Sequence, residues 1–230
     1  MNAWRRLTVR ATLPLRRHFL RRRVGRLVCE EVEGIPLIVL PTVFNAAVFG
    51  SSDVLVRALR THAGACGAVR GRLLDMGTGT GIGAIAAAQL GYEVVAVDLN
   101  PDAVRCARIN ALQHRLEDRV QALEGDLFAP VAGQHFDVVL FNPPFFEGAP
   151  RSSLDRAWRS VDVPERFGAG LPGVLAPGGV ALVIVSSHGG RARTEAALRD
   201  AGLRVEQFVV EDLGYEQVTV LAARHHGGDR

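Results

Sequence analysis

Apolar runs and amphipathic stretches alternate through most of this chain. The apolar runs predict strands at about residues 72–76, 93–98, 120–124, 136–141 and 179–186. The stretches between them carry apolar residues at helical spacing, which predicts helices at about 81–90, 101–114, 161–175 and 191–201. A further helix is expected after Ser51-Ser52-Asp53, which can cap its start. Strands that alternate with helices indicate an α/β fold whose parallel sheet is covered on both faces.

The last two apolar runs differ from the others. They lie at 203–210 and 216–223 and are separated only by a short segment that contains Gly214. Such a short connection predicts an antiparallel pair at one edge of the sheet. A plain dinucleotide-binding fold does not need a reversed last strand.

Charge divides the chain into a basic arm and a near-neutral to acidic body. All 27 basic residues are arginine, which indicates a GC-rich bacterial genome, and nine of them fall within residues 1–26, where there is no acid. We predict a basic arm at 1–33, one α/β domain at 34–223 and a polar tail at 224–230. The arm either packs an apolar edge on the domain or binds an anionic partner such as RNA, an acidic protein or a lipid surface.

The cysteines and the hydropathy exclude several classes of protein. Cys29, Cys66 and Cys106 are far apart, and there is no paired Cys/His spacing, so the sequence supports neither a disulfide framework nor a metal site. No apolar run reaches the ~18 residues of a membrane span. We therefore expect a cytoplasmic protein without a transmembrane segment.

A glycine-rich turn follows the first predicted strand. Residues 73–83 read Leu-Leu-Asp-Met-Gly-Thr-Gly-Thr-Gly-Ile-Gly, and we call residues 77–81 the glycine turn. Gly77, Gly79 and Gly81 permit positive φ and let a ligand approach the backbone, and the next helix begins with free N–H groups. Enzymes that bind dinucleotides share this feature, so the turn alone does not define the ligand.

Two acids follow the next two strands. Asp98 ends an apolar strand 23 residues after Asp75, where a carboxylate can accept hydrogen bonds from both ribose hydroxyls of an adenosine. Asp126 lies just after the third predicted strand, with Leu127 beside it. The glycine turn and Asp98 together predict an adenosine site at the carboxyl edge of the sheet. The contact of Asp126 with the adenine amine is implied by the family resemblance described below.

The fourth predicted strand runs into Asn142-Pro143-Pro144-Phe145, here called the Asn-Pro-Pro-Phe loop. An amide or aromatic amine is a poor nucleophile, and a reaction at such a nitrogen requires correct orientation more than acid–base assistance. The side-chain oxygen of Asn142 and the backbone oxygen of Pro143 can accept hydrogen bonds from both hydrogens of an –NH₂ group. Two prolines stiffen the loop, and Phe145 can lie over a flat acceptor.

Residues 73–83 and 136–145 together resemble class I S-adenosylmethionine (SAM) methyltransferases, and the Asn-Pro-Pro-Phe loop resembles that of families that methylate glutamine amides, adenine N6 or guanine N2. Ala157-Trp158 and the segment at 214–220 resemble the short release-factor glutamine methyltransferases. The resemblance implies a doubly wound seven-stranded sheet of order 3-2-1-4-5-7-6 with an antiparallel last strand. It implies SAM as cofactor and S-adenosylhomocysteine as product. The cofactor-binding residues that it implies are Asp75, Gly77, Thr78, Gly79, Gly81, Asp98, Leu99, Asp126, Leu127 and Asn142.

The resemblance also implies an acceptor site. Its catalytic residues are Asn142, Pro143 and Phe145, and its further substrate contacts are Pro144, Phe49 and Ser52. At residues 47–52 the chain departs from the family, which more often has an acid followed by threonine. The acceptor expected first is a protein glutamine amide. An exocyclic amine of a base in RNA or DNA, a small amine or amide, and a SAM-binding protein without chemistry are the alternatives.

Overall fold

The computed structural model describes residues 23–66, 71–151 and 155–227. Its first element is an antiparallel hairpin of β1 (Val28–Val32) and β2 (Ile35–Val39). The hairpin turns at Glu33 and Gly34, which both have positive φ, as a two-residue turn between twisted strands requires. The predicted boundary of the basic arm at residue 33 therefore falls inside this hairpin, and Val32 is fully buried in the domain core. Residues 1–22 of the arm lie outside the described residues.

The sheet and its helices follow in alternation. The elements up to the Asn-Pro-Pro-Phe loop are α1 (Ala46–Phe49), α2 (Ser51–Cys66), β3 (Arg72–Met76), α3 (Ile82–Gln89), β4 (Glu93–Asp98), α4 (Pro101–Gln113), β5 (Val120–Glu124) and β6 (Phe136–Phe141). Those after the loop are β7 (Phe146–Glu147), β8 (Arg159–Ser160), α5 (Val163–Gly170), β9 (Leu175–Ser186), α6 (Arg191–Asp200), β10 (Leu203–Asp212) and β11 (Gln217–His225). Short 3₁₀ turns lie at 129–131, 155–157 and 171–173.

Seven strands form the main sheet, in the order β10-β11-β9-β6-β3-β4-β5. Strands β3, β4, β5, β6 and β9 are parallel, whereas β11 pairs antiparallel with both β9 and β10. When the seven strands are numbered 1 to 7 in chain order and read from the β5 edge, their order in the sheet is 3-2-1-4-5-7-6. The predicted class I methyltransferase topology and its antiparallel edge are confirmed.

One predicted helix is shorter than its apolar pattern indicated. The helix expected over 161–175 is confined to α5 (Val163–Gly170) and continues only as the 3₁₀ turn at 171–173. Pro172 has no N–H to donate to the preceding turn, so the α-helical ladder cannot pass through it. The apolar residues beyond it begin β9 at Leu175, four residues before the predicted start of that strand.

The core lies on both faces of the sheet. Alternate residues of β3 point to opposite faces, so Leu73 packs in one cluster with Leu59 and Ile85, and Leu74 packs in the other with Phe136 and Phe167. Burial on both faces explains why the strands read as near-continuous apolar runs instead of alternating patterns. Within the described ranges, no helix is long and apolar enough to cross a bilayer.

A fully buried asparagine ties the hairpin to the glycine turn. Oδ1 of Asn110 on α4 accepts a hydrogen bond from the N–H of Ile38 at 2.8 Å. Its Nδ2 donates to the carbonyl oxygens of Ile38 at 2.9 Å and Thr80 at 2.8 Å. One side chain thus satisfies three backbone groups that belong to no ladder. Strand β2 and the glycine turn are fixed to the same helix.

Replacing Asn110 by alanine should strongly destabilise the chain. The change leaves buried N–H and C=O groups unpaired, and each such group costs about 1–3 kcal/mol. We expect the free energy of unfolding in urea to fall by about 2–4 kcal/mol. The control is Gln113→Ala on the exposed side of α4, which should change it by less than about 0.5 kcal/mol. Equal effects of the two substitutions would show that this link is not important for stability.

Candidate functional site

A cavity of about 480 Å³ opens at the carboxyl ends of the parallel strands. It brings together most of the residues predicted from the sequence. Those that line it are Ser52, Asp75, Gly77, Thr78, Gly79, Asp98, Leu99, Asp126, Leu127, Asn142, Pro143, Pro144 and Phe145. These residues lie close together because β3 lies between β4 and β6. Met76 at the end of β3 pairs with both Val97 and Phe141.

Two predicted contact residues, Gly81 and Phe49, do not line the cavity. Gly81 has φ +84°, and a Cβ there would lie 2.9 Å from the Cα of Ala107, so its glycine is required by the close approach of α4. Phe49 lies outside the cavity lining, with its ring centroid 4.3 Å from that of Trp158 and its carbonyl oxygen accepting from the hydroxyl of Tyr215 at 2.6 Å. Both residues support the site from outside.

The glycine turn is held open towards the cavity. Gly77 and Gly79 have φ of +63° and +56°, and a Cβ on Gly79 would meet nothing closer than 3.9 Å. The N–H of Thr78 donates to the carbonyl of Val97 at 3.0 Å, which fixes the turn to β4. Among the described residues, the hydroxyl of Thr80 is the one buried side-chain oxygen without a hydrogen-bond partner. The open cradle and this unpaired hydroxyl fit a polar ligand.

Asp75 lies beneath the glycine turn and is 5% exposed. Its Oδ2 accepts from the hydroxyl of Thr78 at 2.5 Å and from the N–H of Ala84 at 2.9 Å. A Cβ on Gly83 would lie 2.5 Å from its Oδ1, so helix α3 approaches the carboxylate as closely as a glycine allows. Burial raises the pKa of Asp75 to about 6 although both hydrogen bonds oppose the shift. The site therefore holds a carboxylate that the fold disfavours.

Asp98 ends β4 at the rim of the cavity. Its Oδ2 accepts from the N–H of Gly79 and its Oδ1 from the N–H of Asn100, both at 2.9 Å. Each oxygen keeps a further lone pair for a ligand. Burial raises the pKa of Asp98, and hydrogen bonds from backbone N–H groups oppose the shift. These two backbone N–H groups fix the orientation of the carboxylate at the rim of the cavity.

Asp126 is paired with an arginine that the sequence reasoning missed. The guanidinium of Arg166 on α5 donates to its Oδ2 at 2.5 Å, which raises the pKa of Arg166. Leu127 follows with a φ of +47°, an uncommon conformation for a branched residue. This turn carries both Asp126 and Leu127 into the cavity wall. No local pattern could show that Arg166, forty residues further on, contacts it.

The amide of Asn142 has a defined partner. Its Nδ2 donates to the hydroxyl oxygen of Ser51 at 3.2 Å, so its Oδ1 is left for a ligand. Ser51 is 1% exposed and opens α2, which places this hydroxyl opposite the end of β6. The sequence reasoning named the neighbouring Ser52 and missed Ser51.

An aromatic wall formed by Phe44, Phe49 and Trp158 closes one side of the cavity. The ring of Phe44 lies 5.2 Å from that of Phe49 and 4.9 Å from that of Trp158. Phe44 and Trp158 line the cavity, although they are separated by 113 residues in sequence.

Among the residues that the structure describes, no group of three or more His, Cys, Asp or Glu side chains is placed to hold a metal ion.

The sheet order and the cavity at its carboxyl edge define a class I methyltransferase domain. Residues 34–212 match the methyltransferase small domain, and the chain belongs to this family. The predicted methyltransferase activity and its SAM cofactor are confirmed by this membership.

Two relatives are named as glutamine methyltransferases. A putative protein N5-glutamine methyltransferase of Methanocaldococcus jannaschii is 32% identical over 203 residues, covering 84% of this chain and 97% of its own. A release factor glutamine methyltransferase of Rhodospirillum rubrum is 33% identical, covering 77% of this chain and 57% of its own. The predicted resemblance to this family is confirmed. The match thus covers nearly the full length of the first relative and little more than half of the second.

A solved structure is also similar. It is a 16S rRNA methyltransferase of T. thermophilus that acts on guanine N2, in complex with AdoMet and guanosine. It has a TM-score of 0.70 and 25% identity, and the match covers 87% of this chain and 50% of that one. Its similarity extends over the domain and not over the remainder of that protein.

Replacing Asp75 by asparagine should stabilise the chain at neutral and alkaline pH. The pKa of Asp75 is raised in the fold, so its contribution to stability is present at low pH and is lost as pH rises through about 6. A pKa change from 3.8 to about 6 corresponds to about 3 kcal/mol. The asparagine oxygen can keep the bonds from Thr78 and Ala84. We expect the variant to exceed the native chain by about 1–3 kcal/mol at pH 8 and by much less at pH 4.5.

The measurement is urea unfolding of both chains without cofactor across this pH range. Asp118→Asn, at an exposed carboxyl, is the control and should show no such difference. A variant that is less stable than the native chain at pH 8 would contradict the assignment of Asp75 as a disfavoured carboxylate.

Proposed function

We propose that this chain transfers a methyl group from SAM to the side-chain amide of a protein glutamine. The observation that carries the proposal is the hydrogen bond from Nδ2 of Asn142 to Ser51, which leaves the amide oxygen of this cavity-lining residue to accept from a ligand. An oxygen in that position accepts from an –NH₂ group and does not donate to it. The names of the relatives from M. jannaschii and R. rubrum support a glutamine acceptor.

In this proposal the cofactor lies across the carboxyl ends of β3, β4 and β5. Asp98 accepts the ribose hydroxyls, and Asp126 faces the adenine amine with Leu127 and Leu99 against the ring. Gly77, Thr78 and Gly79 leave room for the chain of the cofactor, and Asp75 lies near its methionine amine. SAM supplies the electrophilic methyl group when it is bound. A carboxylate with a raised pKa gains a favourable partner when an ammonium group binds beside it.

The Asn-Pro-Pro-Phe loop then orients the acceptor. Oδ1 of Asn142 and the carbonyl oxygen of Pro143 accept one hydrogen each from the acceptor –NH₂, so its lone pair faces the methyl group. Pro144 limits the freedom of the loop, and Phe145 lies over the planar amide with Ser52 nearby. Orientation of this kind is what a weakly nucleophilic nitrogen requires. On transfer of the methyl group, S-adenosylhomocysteine would be the leaving group, and the methylated nitrogen would release one of its protons to solvent.

Charge around the entrance favours a protein over a nucleic acid. Three arginines beside it face carboxylates: Arg159 lies 3.8 Å from Asp155, Arg193 lies 3.6 Å from Glu147, and Arg166 is paired with Asp126. Arginines engaged in this way are poorly available to phosphates. Phe146 and Val161 are exposed at 40% and 61%. They offer apolar contact to a polypeptide.

A base in ribosomal RNA is the second candidate. The T. thermophilus relative binds guanosine, and residues 1–26 of this chain carry nine arginines. An arm that binds phosphates makes affinity fall steeply with salt, and its removal flattens that dependence. The anionic partner of the arm stays a prediction of this alternative.

We propose a cytoplasmic location for the enzyme, because a protein acceptor of the translation machinery lies there.

Labelled methyl transfer distinguishes the two candidates. The full chain is incubated with [methyl-³H]SAM and, in separate reactions, with purified release factor, ribosomal protein uL3 or deproteinised small-subunit rRNA. Ribosomal protein uL3 is included because a relative of Bordetella pertussis, 35% identical over 144 residues, is named as its glutamine methyltransferase. We expect label in a protein, recovered as N5-methylglutamine after proteolysis. Label in rRNA alone would reject the glutamine proposal and support the base.

Replacing Asn142 by alanine should remove turnover and leave cofactor affinity nearly intact. The lost acceptor acts mainly in the transition state, and a preorganised group of this kind is worth about a hundredfold or more in rate. Single-turnover transfer at saturating SAM measures the effect, and calorimetry with SAM is its control. Asn142→Asp should be nearly as slow, because its charge is costly to desolvate there. Near-native turnover in the alanine variant would reject the orienting role.

Replacing Asp98 by alanine should weaken SAM binding. Loss of a charged acceptor costs roughly 1.5–3 kcal/mol, which corresponds to about tenfold or more in affinity. Calorimetric titration with SAM measures the change, and Asp118→Ala serves as the control. An unchanged affinity, or a native chain that prefers NAD, would contradict the assigned ribose contact.

A further inference from the structure

The turn between β9 and α6 contacts the Asn-Pro-Pro-Phe loop from behind. We call residues 187–190 the brace turn. A Cβ on Gly189 would lie 2.6 Å from the carbonyl oxygen of Phe145, and one on Gly190 would lie 3.2 Å from it. A Cβ essentially never approaches an atom as closely as 2.6 Å, and a backbone oxygen cannot move aside as a flexible side chain can. Only glycine at residue 189 allows the two segments to meet in this way.

The brace turn is itself held firmly. The N–H of Ser187 donates to the carbonyl of Gln217 at 2.8 Å, and the N–H of Gln217 donates to the hydroxyl of Ser187 at 3.0 Å. Behind it, the hydroxyl of Ser186 bonds to the carboxylate of Glu216 and accepts from the N–H of His188 at 3.0 Å. Added volume at Gly189 would therefore displace the loop more readily than the turn.

The loop is also held from its other side. The N–H of Phe146 donates to the carbonyl of Trp158 at 2.8 Å, which fixes the residue after Phe145 to the segment that carries the aromatic wall. Pro143 and Pro144 have φ angles locked by their rings. A push on Phe145 is therefore transmitted along a stiff segment towards Asn142. Misplacement of a reacting group by about 1 Å can cost about a hundredfold in rate.

We propose that Gly189 is a positioning residue for methyl transfer. The brace turn fixes the carbonyl of Phe145 and thereby the placement of Asn142 and the Pro143 carbonyl against the acceptor. This inference rests on one part of the proposed function, namely that the Asn-Pro-Pro-Phe loop orients the –NH₂ group of the acceptor. It holds for a glutamine amide or for a base amine.

The test compares Gly189→Ala with Gly64→Ala in the full-length chain. Gly64 lies on α2, where a Cβ would meet nothing within 4 Å. We expect Gly189→Ala to lower kcat about 10- to 100-fold on whichever of release factor, uL3 or rRNA the native chain methylates. SAM affinity by calorimetry and the midpoint of thermal unfolding should stay close to native. Gly64→Ala should match the native chain in kcat and SAM affinity, and its midpoint of thermal unfolding should be equal or slightly higher, because alanine favours the helix.

A second readout does not depend on the acceptor. Hydrogen–deuterium exchange at the Phe146 amide should accelerate in Gly189→Ala, because displacement of Phe145 weakens the bond to Trp158. Unchanged kcat would overturn the proposal, and so would a loss of SAM affinity and thermal stability equal to the loss in kcat. If the native chain methylates none of the three acceptors, the proposed function fails. Exchange at Phe146 then decides this inference, and an unchanged rate overturns it.

Discussion

The parallel pairing of β3 between β4 and β6 is the constraint on which the rest of the structure depends. Because Met76 lies opposite both Val97 and Phe141, the glycine turn, Asp98 and the Asn-Pro-Pro-Phe loop leave the sheet side by side. Ligands of open α/β sheets bind in such a crevice at the carboxyl ends of the strands. Apolar residues on both faces of the sheet fix that register, so packing far from the cavity determines the geometry within it.

Several residues around the cavity are in states that destabilise the protein when no ligand is bound. The carboxylate of Asp75 is buried with a raised pKa, the hydroxyl of Thr80 has no partner within the described ranges, and Leu127 has positive φ. Each of these lowers the stability of the protein without ligand, and each lies around the cavity. Local departures from stable packing concentrate where a ligand compensates for them.

Much of this arrangement is predictable from the sequence, because strand periodicity and residues at strand ends are local signals. The apolar runs indicate the sheet, and the strand ends identify Asp98 and Asn142. The contacts that complete the site are not local. The pairing of Asp126 with Arg166, of Asn142 with Ser51 and of Phe44 with Trp158 arises only when distant segments meet. Strand β1 was not predicted for another reason, since it lies next to the arginine-rich arm and its pattern is only five residues long.

We propose that the amide oxygen of Asn142 orients an acceptor –NH₂ while its nitrogen stays on Ser51. A crystal structure of the chain with S-adenosylhomocysteine and a glutamine peptide from its acceptor would show these contacts. We expect Oδ1 of Asn142 and the carbonyl oxygen of Pro143 each to lie about 2.9 Å from the glutamine side-chain nitrogen. The orienting role of Asn142 would be contradicted by a glutamine side-chain nitrogen that is bound by other groups. It would also be contradicted by an Asn142 amide whose nitrogen faces the acceptor.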